Sequence, residues 1–135
     1  MKKKLKHEFW VEKRMKCTLK NTFRSLGDVI EKDIQRFNEL DESSSENWRY
    51  AYVRENSRIT VGRAVEPKPI FIDQTVKIWL MSDKIEVCLG KKVLFTVIQK
   101  WSVEDGKCEL RVKDKAYTIW QISQMAIGDL LFDCL

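Results

Sequence analysis

Apolar residues recur with a helical period over the first third of this chain and with a period of two over the middle half. Val11, Met15, Leu19, Phe23, Leu26, Ile30, Ile34, Phe37 and Leu40 make eight intervals over 29 positions. The mean spacing of about 3.6 residues is the α-helical repeat, so residues 8–40 are expected to be helical. Gly27-Asp28 interrupts the stripe with a residue costly inside a helix and a good N-cap. The pair predicts two helices meeting near residues 25–28, or one bent helix. A rival strand over Met15, Cys17 and Leu19 rests on the weak helix formers Thr18, Asn21 and Thr22. The helix is the preferred reading.

Residues 41–47, Asp-Glu-Ser-Ser-Ser-Glu-Asn, offer nothing to bury and read as a polar loop. Beyond them alternation takes over. Trp48, Tyr50 and Tyr52 share one strand face, followed by Ile59 and Val61, a break at Pro67 and Pro69, and then Val76, Ile78 and Leu80. Further strands carry Ile85, Val87 and Leu89, then Val93, Phe95 and Val97, then Cys108, Leu110 and Val112. Asp105-Gly106 signals a two-residue hairpin. The short links at Ser82-Asp83, Gly90-Lys91 and Asp105-Gly106 leave no room for crossover helices, so residues 48–113 should form an antiparallel sheet.

Thr118 and Gln121 match a capping box, and residues 116–135 are mostly apolar, with Asp129 and Asp133 the charged members. The apolar positions, including Trp120, Ile127 and Leu131, are not confined to one stripe. Such a helix must be covered on more than one side, by the chain's own sheet or by another subunit. A membrane span is rejected, because Asp129, Asp133 and Gln121 would sit in hydrocarbon. The expected architecture is one α+β domain: an N-terminal helix or helix pair, an antiparallel β-meander of six to seven strands, open or curled into a partial barrel, and a C-terminal apolar helix.

Charge changes the picture at one end. Residues 1–24 hold nine Lys/Arg and two Glu, a balance of +7, whereas the remaining 16 bases and 18 acids leave −2. This points to an anionic partner for the N-terminal segment. Residues 1–7 are expected to be a flexible basic start, since Lys2, Lys3, Lys4 and Lys6 would oppose the macrodipole of a helix beginning there. Cys17, Cys88, Cys108 and Cys134 form no CxxC pair, and 135 residues can build a core without cross-links. Four free thiols and a cytoplasmic location are the resulting expectations.

The chemistry-bearing residues are sparse. His7 is the single histidine, which leaves no Ser-His-Asp or Cys-His set, and the five glycines build neither a P-loop nor a dinucleotide turn. No cofactor, metal site or catalytic residue is expected. The candidate binding surface combines Lys13, Arg14, Lys16, Lys20 and Arg24 with the strand residues Trp48, Tyr50, Tyr52 and Arg54. The candidate self-association surface is Trp120, Ile127 and Leu131. A non-catalytic protein that docks on a macromolecule follows, with a protein partner or self-association first and no membrane. Phage and mobile-element accessory proteins share this build. Nucleic-acid binding through the basic segment, with bases stacked on the aromatic strand, is the alternative.

Overall fold

The computed structural model describes residues 2–41, 48–65 and 69–132, with side chains from residue 9 onward. Helix α1 (Lys2–Lys16) is followed by α2 (Leu19–Leu40), then by strands β1 (Trp48–Arg54), β2 (Arg58–Val65), β3 (Ile70–Phe71), β4 (Val76–Leu80), β5 (Ile85–Leu89), β6 (Lys92–Ser102), β7 (Lys107–Val112) and β8 (Lys115–Tyr117), and by helix α3 (Ile119–Phe132). The sheet order is β1-β2-β4-β5-β6-β7-β8, with β3 also paired to β2, and every pairing is antiparallel. The molecule is therefore an α+β domain with an N-terminal helix pair, a C-terminal helix and a sheet curled into a half-barrel.

β6 produces much of the curl. Its first part pairs with β5 and its second part, from Ile98, pairs with β7. A register shift opposite Val87 and Cys88 adds a bulge where the strand turns; a residue inserted in one strand bends it and increases its twist. The concave face carries Ile59, Val61, Val76, Ile78, Ile85, Val87, Val97, Leu110 and Val112, all buried. Phe23, Leu26, Ile30 and Ile34 of α2 fill that concavity, and α3 closes it with Ile122, Ala126, Ile127 and Leu131. No helix among the described residues is long and apolar enough to cross a membrane.

The helix break lies ten residues before the Gly27-Asp28 pair that the sequence suggested. It falls at Cys17-Thr18, not at Gly27-Asp28. Thr18 caps α2 by accepting a hydrogen bond from the Asn21 N–H (3.1 Å), and the Asn21 side-chain amide donates to the Lys16 carbonyl (3.0 Å). The residues that looked like poor helix formers are thus the ones that satisfy two helix ends. The stripe divides accordingly: Leu19 to Phe37 face the core, whereas Val11 and Met15 on α1 and Leu40 at the end of α2 remain exposed. α1 also begins at Lys2, so residues 2–7 of the expected flexible start have helical backbone, and residue 1 lies outside the described residues.

Two ends of the sheet depart from expectation. The β6–β7 connection spans Val103, Glu104, Asp105 and Gly106 between the paired Ser102 and Lys107, four residues in place of two. Gly106 adopts φ +60° there, which the glycine permits at little cost. β8 adds a strand where the sheet was expected to end at residue 113, so the C-terminal helix starts at Ile119 and not at 116. The capping box is formed: the Thr118 N–H donates to Gln121 Oε1 (2.8 Å) and the Gln121 N–H to Thr118 Oγ1 (3.2 Å). The predicted loop over residues 42–47 and the final residues 133–135 lie outside the described residues.

The cysteines overturn a third expectation. Cys17 and Cys108 form a disulfide that ties the α1–α2 junction to β7 across 91 positions. Cys88 is free and buried on β5; burial pushes its thiol pKa up, and the neighbouring Glu86 carboxylate adds to the shift. Cys134 lies outside the described residues. Composition could not reveal this pairing, because a chain able to bury a core does not need a cross-link to fold. The disulfide also removes the premise of four reduced thiols on which a reducing compartment was inferred.

A cross-link closing so long a loop should stabilise the fold by about 2–4 kcal/mol, chiefly by restricting the unfolded chain. Urea titrations with and without dithiothreitol should show that loss on reduction. The Cys17→Ser/Cys108→Ser double variant should start from the lower stability and not respond to the reductant.

Candidate functional site

The aromatic strand is not a surface platform. Tyr50 is 5% exposed, its ring meets Phe37 edge-on at 5.3 Å, and its hydroxyl donates to the Leu130 carbonyl at 2.9 Å. Trp48 packs against Tyr50 (5.6 Å between centroids) and under the Arg63 guanidinium (4.9 Å). Tyr52 is half-buried beside α2, and burial first, then the Glu31 carboxylate, raises its phenol pKa. Residues Trp48, Tyr50 and Tyr52 share one face by strand alternation, and that face points at α2. Bases cannot stack there.

Arg54 belongs to the same interface. Its guanidinium donates to Asp28 Oδ1 (2.8 Å), Glu31 Oε1 (3.4 Å) and the Arg24 carbonyl (3.1 Å). Those bonds, with the Asp28 carboxylate contributing most, hold its pKa above the usual arginine value. It lies directly over Gly27, where an added Cβ would come within 2.6 Å of Nη2. Gly27-Asp28 is therefore not a stop-and-cap pair. The glycine makes a recess in α2 and the aspartate anchors the cation that occupies it.

The basic residues divide into two groups. Lys13, Lys16, Arg24 and Lys107 line a concavity of about 730 Å³ around the Cys17–Cys108 disulfide, with Asn21, Thr22 and Ser25 between them. Among the described residues no acidic side chain lines it, although Lys16 is paired at 3.2 Å with Glu12. Lys20 and Arg24 border a smaller cavity of about 390 Å³ with Arg54 and Glu55. Arg14 is exposed and lines neither. Lys107 is a member that sequence reasoning missed; it joins the set because β7 lies beside α1, where the disulfide also ties it.

The residues Trp120, Ile127 and Leu131 do come together, in a groove of about 620 Å³ between the C-terminal half of α2 and the length of α3. Ile127 and Leu131 form its buried floor, while Trp120 (67% exposed) and Phe132 (77%) stand at its edges with Leu40 (62%). The groove is braced. Ser123 donates to Asp33 Oδ2 at 2.7 Å across the two helices, and Phe37 meets Phe132 edge-on at 5.4 Å. Its polar lining is Asp33, Arg36, Asp41 and Gln124, with Arg36 paired to Glu39 at 3.5 Å.

Gly128 lies in the α3 wall of this groove. A glycine inside a helix costs roughly 0.5–1 kcal/mol relative to alanine. Unlike Gly27, nothing in the fold requires this one: an added Cβ would meet only Gln124 Cγ, at 3.9 Å. The glycine leaves that stretch of the groove wall without a side chain. Phe37, Leu40, Gly128 and Phe132 were not assigned from the sequence, though Phe37 and Leu40 end the stripe of α2, which marked them as apolar residues needing cover.

Among the described residues no group of three His, Cys, Asp or Glu side chains is placed to hold a metal ion. No known protein family, characterised protein or solved structure matches the chain.

The two helical glycines should respond differently to alanine. Gly128→Ala should stabilise the protein by up to about 1 kcal/mol, read as a higher urea or thermal midpoint. Gly27→Ala should show no such gain, because the new methyl displaces Arg54 from Asp28 and the Arg24 carbonyl.

Proposed function

We propose that this is a non-catalytic protein-docking domain, and that the α2–α3 groove is its docking surface. The observation that carries this reading is the conjunction of an open apolar groove, large apolar residues left standing at its edges, and a helix glycine that no internal packing requires. Trp120 and Phe132 together expose far more apolar surface than folding alone favours; contiguous patches of this kind mark interaction sites. Helix-in-groove recognition is the mode such a surface suits, with apolar anchors supplied by the partner. The cytoplasmic assignment loses its support with the disulfide, and a compartment where disulfides persist fits the chain better.

The test is site-specific photo-crosslinking of the full chain in its own cells. A photoreactive residue at position 120 should give a discrete adduct with a protein, lost in the Gly128→Leu background, whereas one at the distant exposed Asp83 should not. Equal adducts from both positions, or none from 120, overturns the reading.

A second reading is favoured by the four basic residues that line the concavity at the α1–α2 junction. With the aromatic strand buried, nucleic-acid binding would rest on phosphate contacts alone from Lys13, Lys16, Arg24 and Lys107. Four such contacts predict that oligonucleotide affinity falls by about two orders of magnitude between 50 and 200 mM salt. Fluorescence anisotropy with a mixed-sequence oligonucleotide measures this; absent or salt-insensitive binding removes the second reading.

A further inference from the structure

We propose that the α2–α3 groove receives helix α1 of a second copy of this chain, so that two copies exchange their N-terminal helices; the proposal rests on the groove being a docking surface. The starting point is a mismatch in α1. Phe9, Trp10, Val11 and Met15 stand 50%, 41%, 47% and 75% exposed. The helix packs against β7 and, among the described residues, leaves Met15 largely and the other three about half uncovered. Val11 and Met15 lie one turn apart on the same side of the helix, the spacing used by helical segments that anchor in grooves.

The chain's own groove is out of reach for them. α2 rises about 1.5 Å per residue, which puts Phe37 and Leu40 about 27–32 Å from Leu19. Phe9 lies within about 12 Å of the Cys17 junction by the same rise. Folding α1 back along α2 would therefore carry Phe9 less than halfway to the groove. The disulfide fixes the junction to β7 as well. Only an α1 from another molecule can enter.

Charge favours that visitor. α1 (Lys2–Lys16) holds seven Lys/Arg and two Glu, a balance of +5. The segments that wall the groove, residues 31–41 and 119–132, hold Glu31, Asp33, Glu39, Asp41 and Asp129 against Lys32 and Arg36, a balance of −3. A groove-to-groove dimer would set two acidic rims against each other, whereas helix exchange pairs opposite signs at both contacts. Each copy gives one helix and offers one groove, so a two-fold axis closes the assembly. Gly128 then has a role: it lets the visiting helix approach the α3 backbone.

Sedimentation equilibrium and size-exclusion chromatography with light scattering, on the full chain across protein concentration, test this. The native protein should dimerise, and more weakly as salt rises. Phe9→Glu/Met15→Glu alters exposed side chains and Gly128→Leu fills the groove; each should leave circular dichroism close to native, and neither should lower the urea midpoint, which the loss of a helix glycine should if anything raise in Gly128→Leu. Each should raise the dimer dissociation constant about thirtyfold or more, the scale of an interface hot spot. An equimolar mixture of the two variants should recover heterodimer, because one intact α1 still meets one intact groove. A native chain that stays monomeric at every concentration overturns the proposal. So does a dimer lost with Gly128→Leu but indifferent to Phe9→Glu/Met15→Glu, an outcome that keeps the groove as a docking surface and changes its occupant. A dimer indifferent to both substitutions also overturns it and counts against the groove itself.

Discussion

The burial of one face of α2 in the hollow of the sheet is the constraint on which the rest depends. An antiparallel sheet that curls but does not close leaves a concave apolar surface, and only a helix with a continuous stripe can fill it. Leu26, Ile30 and Ile34 are essentially inaccessible to solvent, and Ile59, Val61, Val76, Ile78, Ile85 and Val87 meet them from the other side. At roughly 1.5–3 kcal/mol for each such side chain removed from water, this layer outweighs any single polar contact in the molecule. The ion pairs of Arg54 orient α2 on β1; they do not supply its binding energy.

A helix of 22 residues is about 33 Å long, and its two ends meet different surroundings. At the N-terminal end the junction with α1 is held by the Asn21 amide and the disulfide, and basic residues gather there. At the C-terminal end α3 lies alongside, and the groove between the two helices is lined by Gly128, with Trp120 and Phe132 largely exposed. The cationic concavity and the apolar groove thus sit at opposite ends of one element. Their separation is what allows a single domain to offer one kind of surface and present another.

The element types were legible in the sequence because they rest on periodicity: the helical stripe to Leu40, the alternation from Trp48 and the Thr118–Gln121 capping box each follow from local geometry. What local geometry could not supply was the direction in which a face points. Trp48, Tyr50 and Tyr52 share a side in any strand, but whether that side meets α2 or solvent depends on the sheet's curl. Gly27-Asp28 reads as punctuation until Arg54, 26 positions later, is seen to fill the recess. The Cys17–Cys108 bond is likewise a relation between distant residues, invisible to spacing. Of the candidate site residues, Trp120, Ile127 and Leu131 were placed together because a helix apolar nearly all round must be covered on several sides. The basic set was only half assembled, since Lys107 joins it through the fold.

The cross-link between Cys17 and Cys108 turns the middle of the chain into a covalent ring, with α1 as one tail and the segment holding β8 and α3 as the other. A peptide bond severed anywhere in the ring, including the polar stretch after α2, would leave a single molecule whose pieces cannot diffuse apart.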